Sequence, residues 1–252
     1  MIIESTKNEA VKRARALANK KDRHETGLHF IEGEKLVREA VVSGAEFSEA
    51  FLEEGHDMMA AVLEGSGASV YIVRRNVLES ITNTKTPQWI CASVKTPVYN
   101  IPEYFSPGLL VVLDAIQDPG NLGTVIRTAD AFGATGVVLG NGCADPFSPK
   151  TLRASMGSVY HIPIYNEKLI PTLMHLKEQD FDLICGHLKG SSEWKKPKGH
   201  TALVIGNESN GVSDEIAELC YLYKLPMQGF AESLNASVAA GILIYELARD
   251  IQ

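Results

Sequence analysis

The chain has 252 residues, 45% of them hydrophobic and 22% charged, the composition of a globular protein and not of a disordered or low-complexity one. Its formal net charge of −7 excludes a general nucleic-acid coat, because sequence-blind binding draws its free energy from lysine and arginine neutralising phosphates; any nucleic-acid contact has to be local. The first residues, Met1-Ile-Ile-Glu-Ser-Thr-Lys7, hold no basic segment followed by an apolar run, and no later apolar stretch reaches the roughly 18 to 20 residues of a membrane span, so a cytoplasmic location with no membrane partner is expected.

Periodicity predicts a helix from Asn8 to Ala18, a strand at His29–Ile31 and a helix over Glu34–Val42 that Gly44 ends. An apolar Ala50–Leu52, a helix around Asp57–Leu63 and a strand at Ser69–Val73 follow, which together suggest a small α/β sandwich. Near its start Lys7, Lys12, Arg13, Arg15, Lys20, Lys21 and Arg23 face only Glu4, Glu9, Asp22 and Glu25. That excess is either a local RNA-contacting patch or the solvated face of an amphipathic helix. Pro97, Pro102 and Pro107 then forbid a helix and disfavour a central strand, the signature of a linker. The expected organisation is therefore a first domain over 1–95, a proline-rich linker over 96–107 and a second domain over 108–252.

Leu109–Leu113 is a continuous apolar run, as suits a strand buried on both faces of a parallel sheet. Further strands are predicted at Gly136–Leu139, Ile162–Ile164, Asp182–Cys185 and Ala202–Ile205, with helices at Gly123–Phe132, around Pro149–Met156 and over Glu167–Gln179. An apolar-rich helix over Ala236–Ala248 closes the chain. The four cysteines, Cys91, Cys143, Cys185 and Cys220, lie far apart without a C-x-x-C pair, so neither a disulfide framework nor a cysteine zinc site is expected. The seven histidines form no helix-spaced pair and no H-E-x-x-H, and no metal is expected. Lys150, Arg153 and Ser155 either guide RNA phosphates or form an ordinary polar helix face. Trp194 sits in a surface loop, where stacking on a base is one role open to it.

Three stretches carry the chemistry: Asn121-Leu-Gly-Thr-Val-Ile-Arg127, Ile205-Gly-Asn-Glu208-Ser-Asn-Gly211, and Leu225-Pro-Met-Gln-Gly-Phe-Ala-Glu-Ser233-Leu-Asn235-Ala-Ser237. Each sets small or polar residues where a strand should end and a helix begin, the usual ligand position in an α/β domain. Taken singly they have bland readings. Asn121 suits an N-cap with Arg127 solvated, Gly206 to Gly211 suits a tight strand-to-helix turn that Ser213 ends, and Ser233 or Asn235 suits a cap of the last helix. Pro226 stops a strand, which leaves Met227 free to line a pocket.

In order and spacing the three stretches resemble the signature motifs of the SpoU (TrmH-like) family of RNA 2′-O-ribose methyltransferases. The resemblance covers Leu109 to Gln252 and extends more loosely to Lys7-Asn-Glu-Ala-Val-Lys12 and Phe30-Ile-Glu-Gly-Glu-Lys-Leu-Val37, which look like the L30e-like substrate-binding domain that many members carry. Thr124 stands where alanine is common and Ala236 where valine is. The fold class implied is α/β, a parallel-sheet SPOUT domain with a deep trefoil knot behind a small L30e-like domain. The activity implied is methyl transfer from S-adenosyl-L-methionine to a ribose 2′-hydroxyl of RNA, with rRNA ahead of tRNA, by a homodimer whose active site draws on both subunits. The resemblance puts Arg127, Asn121, Glu208, Ser233 and Asn235 in the active site, and Gly206, Leu225, Met227, Leu234 and Gly186 around the cofactor. Arg127 is there proposed to activate the target hydroxyl. With a pKa above about 12, orienting the hydroxyl and stabilising the developing alkoxide is the physically easier role for it.

Two rivals remain at this level. Gly140-Asn-Gly142 follows a strand as in a dinucleotide-binding fold, but the third glycine is missing and Asp145-Pro146 interrupts the helix start. A catalytically silent RNA adaptor of the same fold is the other, against which the polar residues of the three motifs argue.

Overall fold

The chain builds two separate sheets, one of five strands and one of six. The computed structural model describes residues 2–82, 86–193, 196–197 and 199–251. Two units result, Met1–Pro97 with Phe147–Leu152, and Val98–Pro146 with Arg153–Gln252. Trp194 lies outside the described residues.

The first unit contains β1 (Ile2–Ile3), α1 (Glu9–Ala16), α2 (Lys20–Thr26), β2 (Leu28–Glu32), α3 (Glu34–Val42), β3 (Phe47–Glu53), α4 (Asp57–Gly65), β4 (Ser69–Val73), α5 (Arg75–Thr82) and β5 (Ile90–Lys95). Its sheet runs β1-β4-β3-β5-β2, with β5 antiparallel to both neighbours and the remaining pairs parallel. Phe51, Val77, Leu78 and Cys91, all fully buried, form part of one core cluster in this unit.

The basic stretch near the N-terminus is tied into the first unit at three arginines. Arg23 is buried, and its Nη1 donates to the carbonyls of Leu17 at 2.8 Å and Ala18 at 2.9 Å, satisfying groups that α1 leaves open at its C-terminal end. Arg15 holds the end of α5 through the Ser80 carbonyl at 2.8 Å and hydroxyl at 2.9 Å. Arg13 pairs with the buried Glu49, Lys12 with Glu9 at 2.7 Å and Lys21 with Glu25 at 3.7 Å. Of the seven cations Arg23 alone is buried, and Lys7, Lys12, Arg13, Arg15, Lys20 and Lys21 are solvent-exposed.

The chain continues with β6 (Leu109–Leu113), α6 (Pro119–Ala131), β7 (Gly136–Leu139), α7 (Pro149–Ser155), β8 (Ile164–Asn166), α8 (Leu169–Glu178), β9 (Asp182–Ser191), β10 (Thr201–Ile205), α9 (Asp214–Ala217), β11 (Tyr221–Tyr223) and α10 (Ala236–Ile251), all in the second unit except the residues of α7 up to Leu152. The sheet order is β11-β9-β10-β6-β7-β8 and every pairing is parallel. The two central strands, β6 and β10, are buried at every residue, which is why Leu109–Leu113 and Ala202–Ile205 read as apolar runs. α10 packs on α6, β6 and β10 through Ala240, Leu243, Ile244 and Leu247.

The second half of the proline-rich stretch is docked. Phe105 N–H donates to Gln179 Oε1 at 3.1 Å and Gln179 Nε2 donates to the Glu103 carbonyl at 2.8 Å, while the Phe105 ring meets Tyr165 and Phe181 edge-on. Among the described residues no helix is long and apolar enough to cross a membrane.

Candidate cofactor cavity and polar chain

At the carboxyl end of β6 the backbone turns sharply through Ala115, whose φ of 55° is one a residue with a side chain adopts only under constraint. The constraint comes from the second motif: Asn207 Nδ2 donates to the Ala115 carbonyl at 2.8 Å. Asn207 also accepts, through Oδ1, from the N–H groups of Ser209 at 2.9 Å and Asn210 at 3.1 Å, and its backbone exchanges two 2.9 Å bonds with Gly211. Asp114 completes the tie, its Oδ2 accepting the Ser213 N–H at 2.9 Å. One asparagine thus orders the whole 206–211 loop and fastens it to β6.

α6 begins four residues earlier than the periodicity predicts. Its N-cap is Asp118, which accepts the Asn121 N–H at 2.9 Å, and Pro119 occupies the first turn, where its missing N–H costs nothing. The expectation that Asn121 caps this helix is corrected accordingly. Relieved of that task, the Asn121 side chain bridges the other two motifs. Its Nδ2 donates to Glu208 Oε1 at 2.9 Å and its Oδ1 accepts from Asn235 Nδ2 at 3.0 Å. Asn235 in turn caps α10, with Oδ1 accepting from the Ser237 N–H at 2.9 Å, the Ser237 hydroxyl at 2.7 Å and the Val238 N–H at 3.3 Å. The result is one polar chain, Glu208–Asn121–Asn235–α10, through all three motifs.

A cavity of about 400 Å³ opens beside this chain, at the carboxyl ends of β9, β10 and β11. Of the residues expected around a cofactor, Gly186, Gly206, Leu225, Met227 and Leu234 line it. Glu208 and Ser233 line it too, whereas Asn121 and Asn235 reach it by way of Glu208. Gly206 has no room for a side chain, since a Cβ there would overlap the backbone of Gly211 and Val212. Arg127 is different. It is exposed on α6, does not line the cavity, and makes no hydrogen bond or ion pair among the described residues.

Ser155 is fully buried and unable to meet a phosphate, while Lys150 and Arg153 are exposed. Burial pushes the thiols of Cys143 and Cys185 up, and that of Cys220 to about 11, so at neutral pH these groups are protonated and not thiolate nucleophiles. Asp118 is readable from the sequence as Asp-Pro-Gly, an N-cap ahead of a proline at the first helical position. Asn207 and the cavity residues His187, Lys189 and Lys224 carry no such local signal.

An open parallel sheet with a cavity of this size at its carboxyl edge, walled by leucines and methionine and closed by a glycine turn, defines a small-ligand-binding α/β domain. The chain belongs to the SpoU rRNA methylase family, whose model matches residues 108–245; an MRM3-like substrate binding domain matches residues 8–92. Among its relatives is the 23S rRNA (guanosine(2553)-2′-O)-methyltransferase RlmP of Bacillus subtilis, 39% identical over 97% of this chain and 98% of the relative. An AdoMet-bound rRNA methyltransferase from Sinorhizobium meliloti superposes with a TM-score of 0.91 and 34% identity, covering 100% of this chain and 98% of that one. The AdoMet complex of the SpoU methyltransferase AviRb from Streptomyces viridochromogenes gives 0.83 and 27% identity over 96% and 98%.

Proposed function

We propose that this chain methylates a ribose 2′-hydroxyl of RNA with S-adenosylmethionine, and that 23S ribosomal RNA is the substrate. The observation that carries the reading is the Glu208–Asn121–Asn235 chain, which joins three motifs at the cavity edge. The residues present suit the cofactor. Leu225, Met227 and Leu234 offer apolar wall for an adenine, the side-chain-free Gly206 lets a ligand approach the main chain, and the Glu208 carboxylate suits a cationic centre. When bound, S-adenosylmethionine supplies an electrophilic methyl group. The protein's part is positioning: Asn121, itself held by Asn235, holds Glu208, and Arg127 stabilises negative charge on the target oxygen. The matched substrate-binding region within 1–95 selects the RNA, and the end-to-end match to RlmP favours rRNA over tRNA. The cytoplasm is the compartment that suits this work.

Two finer features belong to the same reading. One is a homodimer. Val238, Ile242 and Tyr245, 50%, 40% and 47% exposed, form an apolar stripe on α10, and Phe132 of α6 extends it edge-on to Tyr245 at 5.4 Å. That Arg127 does not line its own chain's cavity supports its serving the partner's. Ile242→Asp is expected to give monomers by sedimentation and to lose methyl transfer. The other feature is the trefoil knot, supported by family membership and by the return of the chain from edge strand β11 to α10 against β10 and β6.

The test incubates the purified protein and tritiated S-adenosylmethionine with total rRNA and tRNA. Label on a ribose of 23S rRNA is expected; label on a base, or on tRNA alone, overturns the assignment.

A further inference from the structure

Strand β9 leaves its register with β11 just where it meets the cavity. Leu222 pairs with Cys185, and the next residue, Tyr223, pairs with Ser191, so Gly186 to Gly190 have no counterpart on β11. An ordinary bulge adds a single residue, and this one adds a loop. Both of its ends are glycines in tight places. A Cβ on Gly190 would lie 2.6 Å from the carbonyl carbon and oxygen of Leu222, and one on Gly186 would lie 2.9 Å from Leu243 Cδ1. Within the excursion His187 Nδ1 accepts the Lys189 N–H at 3.1 Å, which leaves the neutral ring its proton on Nε2. The Lys224 N–H donates to the Ser191 carbonyl at 2.8 Å and closes the far end.

Gly186, His187, Leu188 and Lys189 all line the cavity, and so does Lys224. Charge in that wall is divided by element. The cation-bearing side chains, Lys189 and Lys224, come from β9 and the residue after β11, whereas the carboxylates, Glu208 and Asp214, come from the segment after β10. S-adenosylmethionine is divided in a matching way, with a sulfonium and an α-ammonium that are positive and one α-carboxylate that is negative. We propose that the Gly186–Gly190 excursion and Lys224 form the subsite for this α-carboxylate, with Lys189 and Lys224 as the charged contacts and His187 Nε2–H as a neutral donor. Glu208 and Asp214 face the cationic part of the ligand. The assignment rests on the S-adenosylmethionine reading above and adds the orientation in which that ligand lies.

The test is calorimetric titration of the full-length protein with two ligands, S-adenosylmethionine and 5′-methylthioadenosine, which keeps the adenine, ribose and sulfur but lacks the amino-acid moiety. Lys189→Met with Lys224→Met, which keep the aliphatic stems, are expected to weaken S-adenosylmethionine roughly tenfold or more, the scale of a lost charge-assisted bond, and to leave methylthioadenosine within about twofold. Lys189→Arg with Lys224→Arg are expected to keep the affinity for both. Unchanged S-adenosylmethionine affinity in the methionine variant overturns the proposal, the more so if RNA affinity falls instead. Equal losses for both ligands also overturn it, because the lysines then act only through the shape of the loop. Failure of the parent protein to bind either ligand sinks the cofactor reading itself, an outcome distinct from the others.

Discussion

Arg127→Ala is expected to lower methyl transfer by a factor of about 10² to 10³, the usual cost of removing one group that stabilises developing negative charge. The fold and the affinity for S-adenosylmethionine are expected to stay as they are. Both halves follow from its position. The guanidinium is exposed and has no partner among the described residues, so its loss leaves no buried group unsatisfied. It is also absent from the cavity wall of its own chain, so its loss leaves that wall intact. Single-turnover methylation together with calorimetric cofactor binding separates the two. An alanine variant that transfers methyl groups at the parental rate removes Arg127 from the reaction. Mixing Arg127→Ala with a cavity-blocked variant adds a further reading: activity restored on mixing means that the arginine acts across a subunit interface.

Gly206→Ala has the second large effect, and it acts on structure and binding at once. The added methyl meets the backbone of Gly211 and Val212, which has no rotamer by which to yield. To make room, the paired 2.9 Å bonds between Asn207 and Gly211 have to open. Overpacking of this kind costs about 1–3 kcal/mol, and at about 2–4 °C per kcal/mol for a chain of this size the melting temperature is expected to fall by several degrees. Cofactor affinity is expected to fall roughly tenfold or more with the loss of this loop's shape. Gly229→Ala is the matched control. It lies in the third motif, where an added methyl would meet nothing within 4 Å, and is expected to leave melting temperature and affinity unchanged. A Gly206→Ala protein with parental stability and affinity contradicts so close an approach of the two backbone segments.

The second sheet is legible in the sequence because its central strands are buried on both faces, so that Leu109–Leu113 and Ala202–Ile205 stand out as short apolar runs. The first sheet is less so. β5, which lies between β2 and β3, escapes pattern reading because Ile-Cys-Ala-Ser-Val-Lys is rich in small residues of low strand preference, and its place comes from pairing on both sides. α2 and α5 are not read from the sequence; α2 is held by Arg23 and by Gly27 at a φ of 66°. Each of the three motifs is visible as a strand-to-helix junction, but not which side chain does what. Asn121 has the look of a cap, yet Asp118 holds that place, and nothing local marks Asn207 as the residue that orders its loop. The extension of β9 past Cys185 is illegible, since Gly-His-Leu-Lys-Gly has the composition of a loop and half of that character survives in the fold.

The polar chain has one more consequence, for the order of events during synthesis. Asn121 bonds to Glu208 across 87 positions and to Asn235 across 114. The last of these side chains is oriented by the first turn of α10, which is translated after everything else in the site. A nascent chain that has already made its first unit and most of its second still leaves Asn121 without its second partner. The polar chain is therefore completed only once the first turn of α10 has been made, and a chain cut short before Asn235 is expected to lack it.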